Sequence, residues 1–150
     1  MARQVQQFIL VCLLKIKILK IVFIYCDNMR FLLVDDNKEI TKIMSKYFTK
    51  KGHSCTVAND GRNALEILQG QKFDVMLLDL AMPEFSGRDV VMHLKNNGKI
   101  NDHNIVCLTA SSPSSEYEDE LRVMGVKAIL KKPIDPDVIL DFLKQFEVKS

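Results

Sequence analysis

Five short apolar runs, each followed by a stretch with helical periodicity, constrain the fold of this chain more than any other feature. The runs are rich in Val, Ile and Leu and lie at residues 30–34, 54–58, 73–78, 104–109 and 127–131. Such runs are typical of strands that are buried on both faces of a parallel sheet. Their alternation with helices predicts right-handed crossovers and a three-layer α/β sandwich with five strands and five helices.

The stretches between the runs carry apolar residues at helical spacing, with charged residues around them. The apolar positions are Ile40, Ile43, Met44, Tyr47 and Phe48; Val90, Val91 and Leu94; Tyr117, Leu121 and Met124; and Ile139, Phe142, Leu143 and Phe146. Glycines at 52, 70, 98 and 125 predict helix ends. Ser112-Pro113 and Asp135-Pro136 each predict an N-cap followed by proline at the first position of a helix.

Polar residues stand at the end of four of these runs or directly after it. They are the carboxylates Asp35, Asp36 and Asp79, the hydroxyl of Thr109 and the ammonium of Lys132. Residues at the carboxyl ends of parallel strands meet in one crevice, which is the usual ligand site of open α/β folds. Like charges in a cleft repel one another unless something compensates them. The pattern therefore predicts a site for a divalent metal and a phosphoryl group.

Composition limits the classes of function. The chain of 150 residues holds 21 basic and 19 acidic residues. Residues 1–28 contribute four of the basic residues and one of the acidic ones, which leaves 17 basic and 18 acidic residues in 29–150. No clustered positive charge indicates nucleic-acid binding. The cysteines, Cys12, Cys26, Cys55 and Cys107, are widely spaced, which suits a reducing compartment, and Cys107 is expected to act as a small buried hydrophobe.

Residues 1–28 differ from the rest and are treated as an N-terminal extension. Residues 8–26 are apolar except for three lysines, each of which costs about 2.5–3.5 kcal/mol at the centre of a membrane span. Three interpretations stay open: a mis-set translation start before Met29, a membrane-associating segment, and a soluble extension. The first predicts a cytoplasmic protein that begins at Met29, and the second a protein that associates with the membrane through residues 8–26.

Residues 29–150 resemble the receiver domain of the response regulators of bacterial two-component systems. The motifs that carry the resemblance are VDD at 34–36, LLDLAMP at 77–83 with Gly87, LTA at 108–110 and KKPI at 131–134. Each motif alone is weak, but their order and spacing on four strand ends are specific. The resemblance implies a flavodoxin-like fold with strand order 2-1-3-4-5 and a crevice between the first and third strands.

The resemblance also implies roles for single residues. Asp79 would be the phosphoacceptor, Lys132 would pair with a phosphoryl oxygen, and Thr109 would turn its hydroxyl onto the phosphoryl group. Mg²⁺ would be bound by Asp36 and Asp79 directly, by Asp35 through water, and by the backbone carbonyl of Ala81. The bond between Lys132 and Pro133 would be cis. One position departs from the usual pattern, since Ile129 stands where the family usually has an aromatic residue. The two positions that tune the phosphoryl lifetime in the family, Ala81 and Ser111, are both small and leave that lifetime open.

The expected function is that of a stand-alone receiver, since the sequence ends shortly after the fifth helix. It would accept a phosphoryl group from a histidine kinase or a histidine phosphotransfer protein. It would signal to a downstream protein through the fourth helix, fifth strand and fifth helix, and it would catalyse only its own phosphorylation and dephosphorylation. Two alternatives are a phosphorylation-independent interaction module and an aspartyl-phosphate phosphatase or phosphotransferase of the haloacid-dehalogenase type. The latter type has D-x-D-x-T/V sequences, whereas here Leu80 and Ala81 follow Asp79.

Overall fold

The computed structural model describes residues 28–144, which form one five-stranded parallel sheet flanked by helices. The strands are β1 (Arg30–Val34), β2 (Ser54–Ala58), β3 (Val75–Asp79), β4 (Ile105–Thr109) and β5 (Ala128–Lys131). Their order in the sheet is β2-β1-β3-β4-β5, and all four neighbouring pairs are parallel. The predicted α/β fold and strand order are therefore confirmed. The predictions for residues 1–27, Phe146 and the end of the domain at Ser150 lie outside the described residues.

Within residues 28–144, five α-helices connect or follow the strands. They are α1 (Lys38–Lys50), α2 (Gly61–Gly70), α3 (Gly87–Asn96), α4 (Ser115–Met124) and α5 (Pro136–Leu143), with a short 3-10 turn at Ile100–Asp102. Within the described residues, no helix is both long enough and apolar enough to cross a bilayer.

The helices cover the two faces of the sheet in unequal numbers. One apolar cluster joins β-strand side chains to α2, α3 and α4, through residues such as Ala64, Val90 and Leu121. A second cluster on the opposite face joins the sheet to α1 and α5 through Phe48 and Ile139. These side chains are fully buried. Both faces of the central strands are therefore dry, which explains why β3 and β4 read as unbroken apolar runs.

Three strands are shorter at their starts than the sequence predicts. β3 begins at Val75 instead of residue 73, β4 at Ile105 instead of 104 and β5 at Ala128 instead of 127. At β3 the cause is visible: the Asp74 carboxylate accepts a hydrogen bond of 2.6 Å from the backbone N–H of Arg30. That carboxylate takes a donor that a longer strand ladder would otherwise use, so the regular pairing starts at Val75, two residues later.

Two helix predictions were wrong in detail. Ile43 was placed on the buried stripe of α1, but it is 66% exposed. The buried side of α1 contains Thr41 instead, whose hydroxyl lies 3.2 Å from the carbonyl of Lys38 and so needs no contact with water. The N-cap of α4 is Ser114, which accepts the N–H of Tyr117, and not Ser112.

Candidate phosphoacceptor and metal site

The polar residues predicted from the strand ends lie together at the carboxyl edge of the sheet. Asp35 and Asp36 follow β1 directly, and Asp79 is the last residue of β3, the strand next to β1. One carboxylate oxygen from each of the three residues lies within 4.8 Å of the others. Asp35 and Asp79 are buried, whereas Asp36 is exposed. The crevice thus has two acidic groups in its floor and a third at its mouth.

Lys132 supplies the positive charge in this crevice. Its Nζ lies 2.6 Å from Asp35 Oδ2 and 3.2 Å from Asp79 Oδ2. Burial disfavours the ammonium, but the hydrogen bond to Asp35 and the charges of Asp79 and Asp35 outweigh it, so that the pKa of Lys132 is raised. Lys132 therefore remains charged at physiological pH. One ammonium among three carboxylates still leaves the cluster net negative.

Lys131, the neighbouring lysine, has a different environment. Its exposed side chain donates a hydrogen bond of 2.6 Å to Ser112 Oγ in the loop before α4. The parallel register places Lys131 beside Thr109, while the backbone N–H of Lys132 donates to the Thr109 carbonyl. Of these two lysines, only Lys132 contacts the carboxylates of Asp35 and Asp79. The Lys132–Pro133 peptide bond is cis, as the resemblance implied.

Thr109 and Ala81 lie at the carboxyl ends of the neighbouring strands β4 and β3. Thr109 ends β4 and is buried, and its hydroxyl lies 3.1 Å from the Ser111 carbonyl while accepting the N–H of Ser111. Both of these hydrogen bonds of the Thr109 hydroxyl are local, within the segment that leads from β4 into the loop before α4. Ala81 donates its backbone N–H to Asp79 Oδ1 over 3.2 Å. The backbone after β3 therefore turns back over the Asp79 carboxylate.

A close approach between α3 and the end of β3 fixes the backbone at Asp79. The N–H of Gly87 donates to the Leu80 carbonyl, and α3 begins at Gly87 with Ser86 as its N-cap. A Cβ atom on Gly87 would collide with the Asp79 carbonyl oxygen and lie 2.9 Å from Leu80 Cα. Both neighbours are backbone atoms that cannot move aside independently. Only glycine therefore fits at this crossing.

We expect Gly87→Ala to lower the free energy of unfolding by about 1–3 kcal/mol, because the added methyl group forces the backbone around Asp79 to shift. Chemical denaturation of the two proteins measures this difference. Gly70→Ala is the matched control, since a Cβ there meets nothing within 4 Å. Equal stabilities of the two variants would contradict the close approach.

Two asparagines in the crevice loops were not predicted from the sequence. Asn37 donates its backbone N–H to Asp35 Oδ1 over 2.8 Å, and its side chain caps α1 by accepting from Glu39 and Ile40. Asn59 donates from its side chain to the Asp35 carbonyl over 2.9 Å. Asn59 directly follows β2, so the rule that found the other residues at strand ends also applied to it. A neutral amide after a strand is also common in turns, so its position alone does not mark a site.

The donor set of the crevice fits a magnesium ion. Mg²⁺ prefers oxygen ligands and is usually bound by one or two carboxylates together with water and phosphate oxygens. Asp36 and Asp79 offer such oxygens, one exposed and one buried, at the ends of two adjacent strands. The net negative charge of the cluster also favours a divalent cation, because the cation compensates the repulsion between the carboxylates.

Comparison with known proteins assigns the family. The family model described as response regulator receiver domain matches residues 31–144. Response regulator SaeR of Staphylococcus epidermidis is 35% identical over 105 residues, which are 70% of this chain and 44% of that protein. The chain thus spans less than half the length of this curated relative. It belongs to the response regulator receiver domain family of two-component systems.

Solved structures agree with that assignment. The chemotaxis protein CheY4 of Vibrio cholerae superposes with a TM-score of 0.71 at 30% identity, covering 79% of this chain and 98% of that one. The response regulator protein TrrA of Thermotoga maritima, solved in complex with Mg(2+)-BeF, gives a TM-score of 0.65 at 26% identity. That match covers 78% of this chain and 97% of TrrA. Receiver domains of this family bind Mg²⁺ through an acidic cluster, and such a cluster is present here.

Proposed function

We propose that this protein is a phosphorylated signalling receiver in which Asp79 accepts a phosphoryl group from a histidine kinase or a histidine phosphotransfer protein. The observation that carries the proposal is the position of Lys132, whose ammonium contacts both Asp35 and Asp79 in a buried crevice. A lysine beside a reactive carboxylate compensates the negative charge that an incoming phosphoryl group adds. The family assignment supports the same chemistry.

In this proposal Asp79 is the nucleophile. One carboxylate oxygen forms a bond to phosphorus while the bond from phosphorus to the donor nitrogen or oxygen breaks, and the leaving group takes that electron pair. The product is an aspartyl phosphate on Asp79. Its carboxylate is well placed for a single orientation, because Oδ1 accepts from the Ala81 N–H and Oδ2 lies 3.2 Å from Lys132 Nζ.

Magnesium would be held by Asp36 and Asp79, by Asp35 through water, and by the Ala81 carbonyl. When bound, Mg²⁺ neutralises charge on the phosphoryl oxygens. Asp35 has a second task in the chain itself, since its Oδ2 holds the Lys132 ammonium at 2.6 Å. The Mg(2+)-BeF complex of TrrA supports this reading of the acidic cluster.

Thr109 would report the phosphorylated state to the rest of the domain. Its hydroxyl is bonded within the β4–α4 loop, to the carbonyl and N–H of Ser111. Turning that hydroxyl to a phosphoryl oxygen would break these bonds and move the loop that leads into α4. At position 129 an aliphatic residue packs against the apolar cluster under α4, so the movement would be transmitted by the loop and not by rotation of an aromatic ring.

The surface formed by α4, β5 and α5 would contact the downstream partner. It presents mixed charge and exposed apolar side chains: Glu116, Asp119, Glu120, Lys127, Lys131, Val123 and Val138. Such a surface suits a protein and not a nucleic acid, which would need a cluster of positive charge. Within the described residues the cysteines, Cys55 and Cys107, are free thiols, which supports a cytoplasmic location.

The test is direct phosphorylation. The protein is incubated with acetyl phosphate and Mg²⁺, and its intact mass is measured, followed by peptide mapping of the modified residue. We expect one added phosphoryl group on the peptide that contains Asp79, and none when Mg²⁺ is removed by chelation. A protein that stays unmodified with both acetyl phosphate and purified histidine kinases would instead be a phosphorylation-independent interaction module.

A further inference from the structure

Asn59 lies behind the acidic crevice, on the loop between β2 and α2. Its side-chain amide donates two hydrogen bonds, one of 2.9 Å to the Asp35 carbonyl and one of 3.2 Å to Thr41 Oγ1. Thr41 is a buried residue of α1. Asn59 therefore joins three elements that meet behind the site: the end of β2, the loop after β1 and the first turns of α1.

The Asp35 carbonyl belongs to the peptide group that links Asp35 to Asp36. The Asp35 N–H donates to the Ala58 carbonyl over 3.2 Å, so the backbone of Asp35 is held on both of its sides by the end of β2. Asp36 is exposed, unlike Asp35, and follows that peptide group directly. The direction of the Asp36 side chain depends on the plane of the peptide that Asn59 holds.

We propose that Asn59 is a positioning residue for the magnesium site, and that its amide fixes the Asp35–Asp36 peptide in the orientation that cation binding needs. The inference rests on the proposed function. Residues that orient metal ligands from outside the coordination shell commonly control metal affinity. Asn59 acts through the backbone of the acidic pair and touches neither the cation nor the phosphoryl group.

The chain contains a matched control for this proposal. Asn104, which precedes β4, donates from its side-chain amide to the Asp74 carbonyl over 3.0 Å, just before β3 begins. Both asparagines are partly buried, and both bridge adjacent strand ends through a backbone carbonyl. They lie at opposite edges of the sheet, Asn59 beside the acidic crevice and Asn104 at the amino ends of the strands. Truncation of either asparagine should weaken the fold, but only the loss of Asn59 should affect the metal site.

The experiment measures Mg²⁺ affinity by isothermal titration calorimetry, without any phosphodonor, together with the free energy of unfolding in the absence of Mg²⁺. We expect Asn59→Ala to weaken Mg²⁺ binding by about tenfold, as is common when a residue that orients metal ligands is removed. Asn104→Ala should bind Mg²⁺ like the parent protein even though it also loses stability. A dissociation constant for Asn59→Ala within twofold of the parent, or an equal weakening by Asn104→Ala, would overturn the proposal.

A second variant keeps the test decisive if Asn59→Ala does not fold. Thr41→Val preserves the shape of the side chain and removes the hydroxyl oxygen that accepts the second amide proton of Asn59. It should weaken Mg²⁺ binding by a smaller factor than Asn59→Ala, and Thr41→Ser should restore it. An unchanged affinity in Thr41→Val, with Asn59→Ala unfolded, would reject the proposal. If the parent protein itself binds no Mg²⁺, the proposed function fails and not merely the role of Asn59.

Discussion

Asp79→Asn is expected to remove all acetyl-phosphate labelling of the protein. An amide is a far weaker nucleophile toward phosphorus than a carboxylate, and the substituted side chain would also offer the cation only a neutral oxygen. The fold should survive the change, because Lys132 retains its hydrogen bond of 2.6 Å to Asp35. Intact-mass spectrometry after incubation with acetyl phosphate and Mg²⁺ measures the labelling, and circular dichroism checks the fold.

Two further variants separate the phosphoacceptor from the metal ligands. Asp36→Ala should abolish Mg²⁺-dependent labelling while leaving Asp79 in place. Glu66→Ala is the surface control, since Glu66 is an exposed residue of α2 and should label like the parent protein. Phosphate that persists on Asp79→Asn would show that another residue accepts the group, and the assignment of Asp79 would be wrong.

Lys132→Ala is expected to impair phosphorylation strongly and to destabilise the protein. The side chains of Asp35 and Asp79 are only 7% and 8% exposed, so that removing the ammonium leaves two buried carboxylates without their cation. Breaking a buried ion pair in this way costs about 3–5 kcal/mol. Magnesium should restore part of the lost stability, because a bound divalent cation supplies the missing positive charge and stabilises the folded state by mass action. Denaturant unfolding with and without Mg²⁺ measures both effects.

Lys131→Ala tests whether Lys132, and not its neighbour Lys131, is the lysine that acts in the crevice. The Lys131 ammonium donates a hydrogen bond to Ser112 Oγ, and a hydrogen bond contributes only about 0.5–1.5 kcal/mol net. Labelling and stability of Lys131→Ala should therefore stay close to those of the parent protein. Similar losses in the two lysine variants would mean that position 132 has no special role in the crevice.

The fold could be predicted from the sequence to a large extent because its signals are local. A strand that is buried on both faces is expected to be apolar, and β3 and β4 are apolar up to their last residues, Asp79 and Thr109. The same locality explains the errors. Ile43 and Ser112 were misplaced because helical periodicity and a Ser-Pro pair do not state where a helix meets the sheet. Packing against the sheet decided that the buried face of α1 runs through Thr41 and Phe48.

The sequence predicts which residues form the site, but it does not predict which of them are in contact. Chain order alone places Asp35, Asp79 and Lys132 at strand ends, and parallel pairing brings such ends to one edge. Their contacts depend on distances between residues far apart in sequence: Lys132 and Asp35 are separated by 97 positions, yet they lie at hydrogen-bond distance. Sequence reasoning assigned Lys132 to the phosphoryl group, and the structure adds that it is held by two carboxylates of the crevice.

The class of fold and the family motifs can be read from the sequence, because each strand, helix and motif is a run of consecutive residues. The motifs also supply the charged groups of the crevice, but the contacts that hold these groups arise in the tertiary structure. The bond from Asn59 to the Asp35 carbonyl and the crossing of Gly87 over the Asp79 carbonyl are contacts between separate loops. Such contacts exist only after the sheet has formed, since they depend on the spacing of neighbouring strands and on the packing of helices against them.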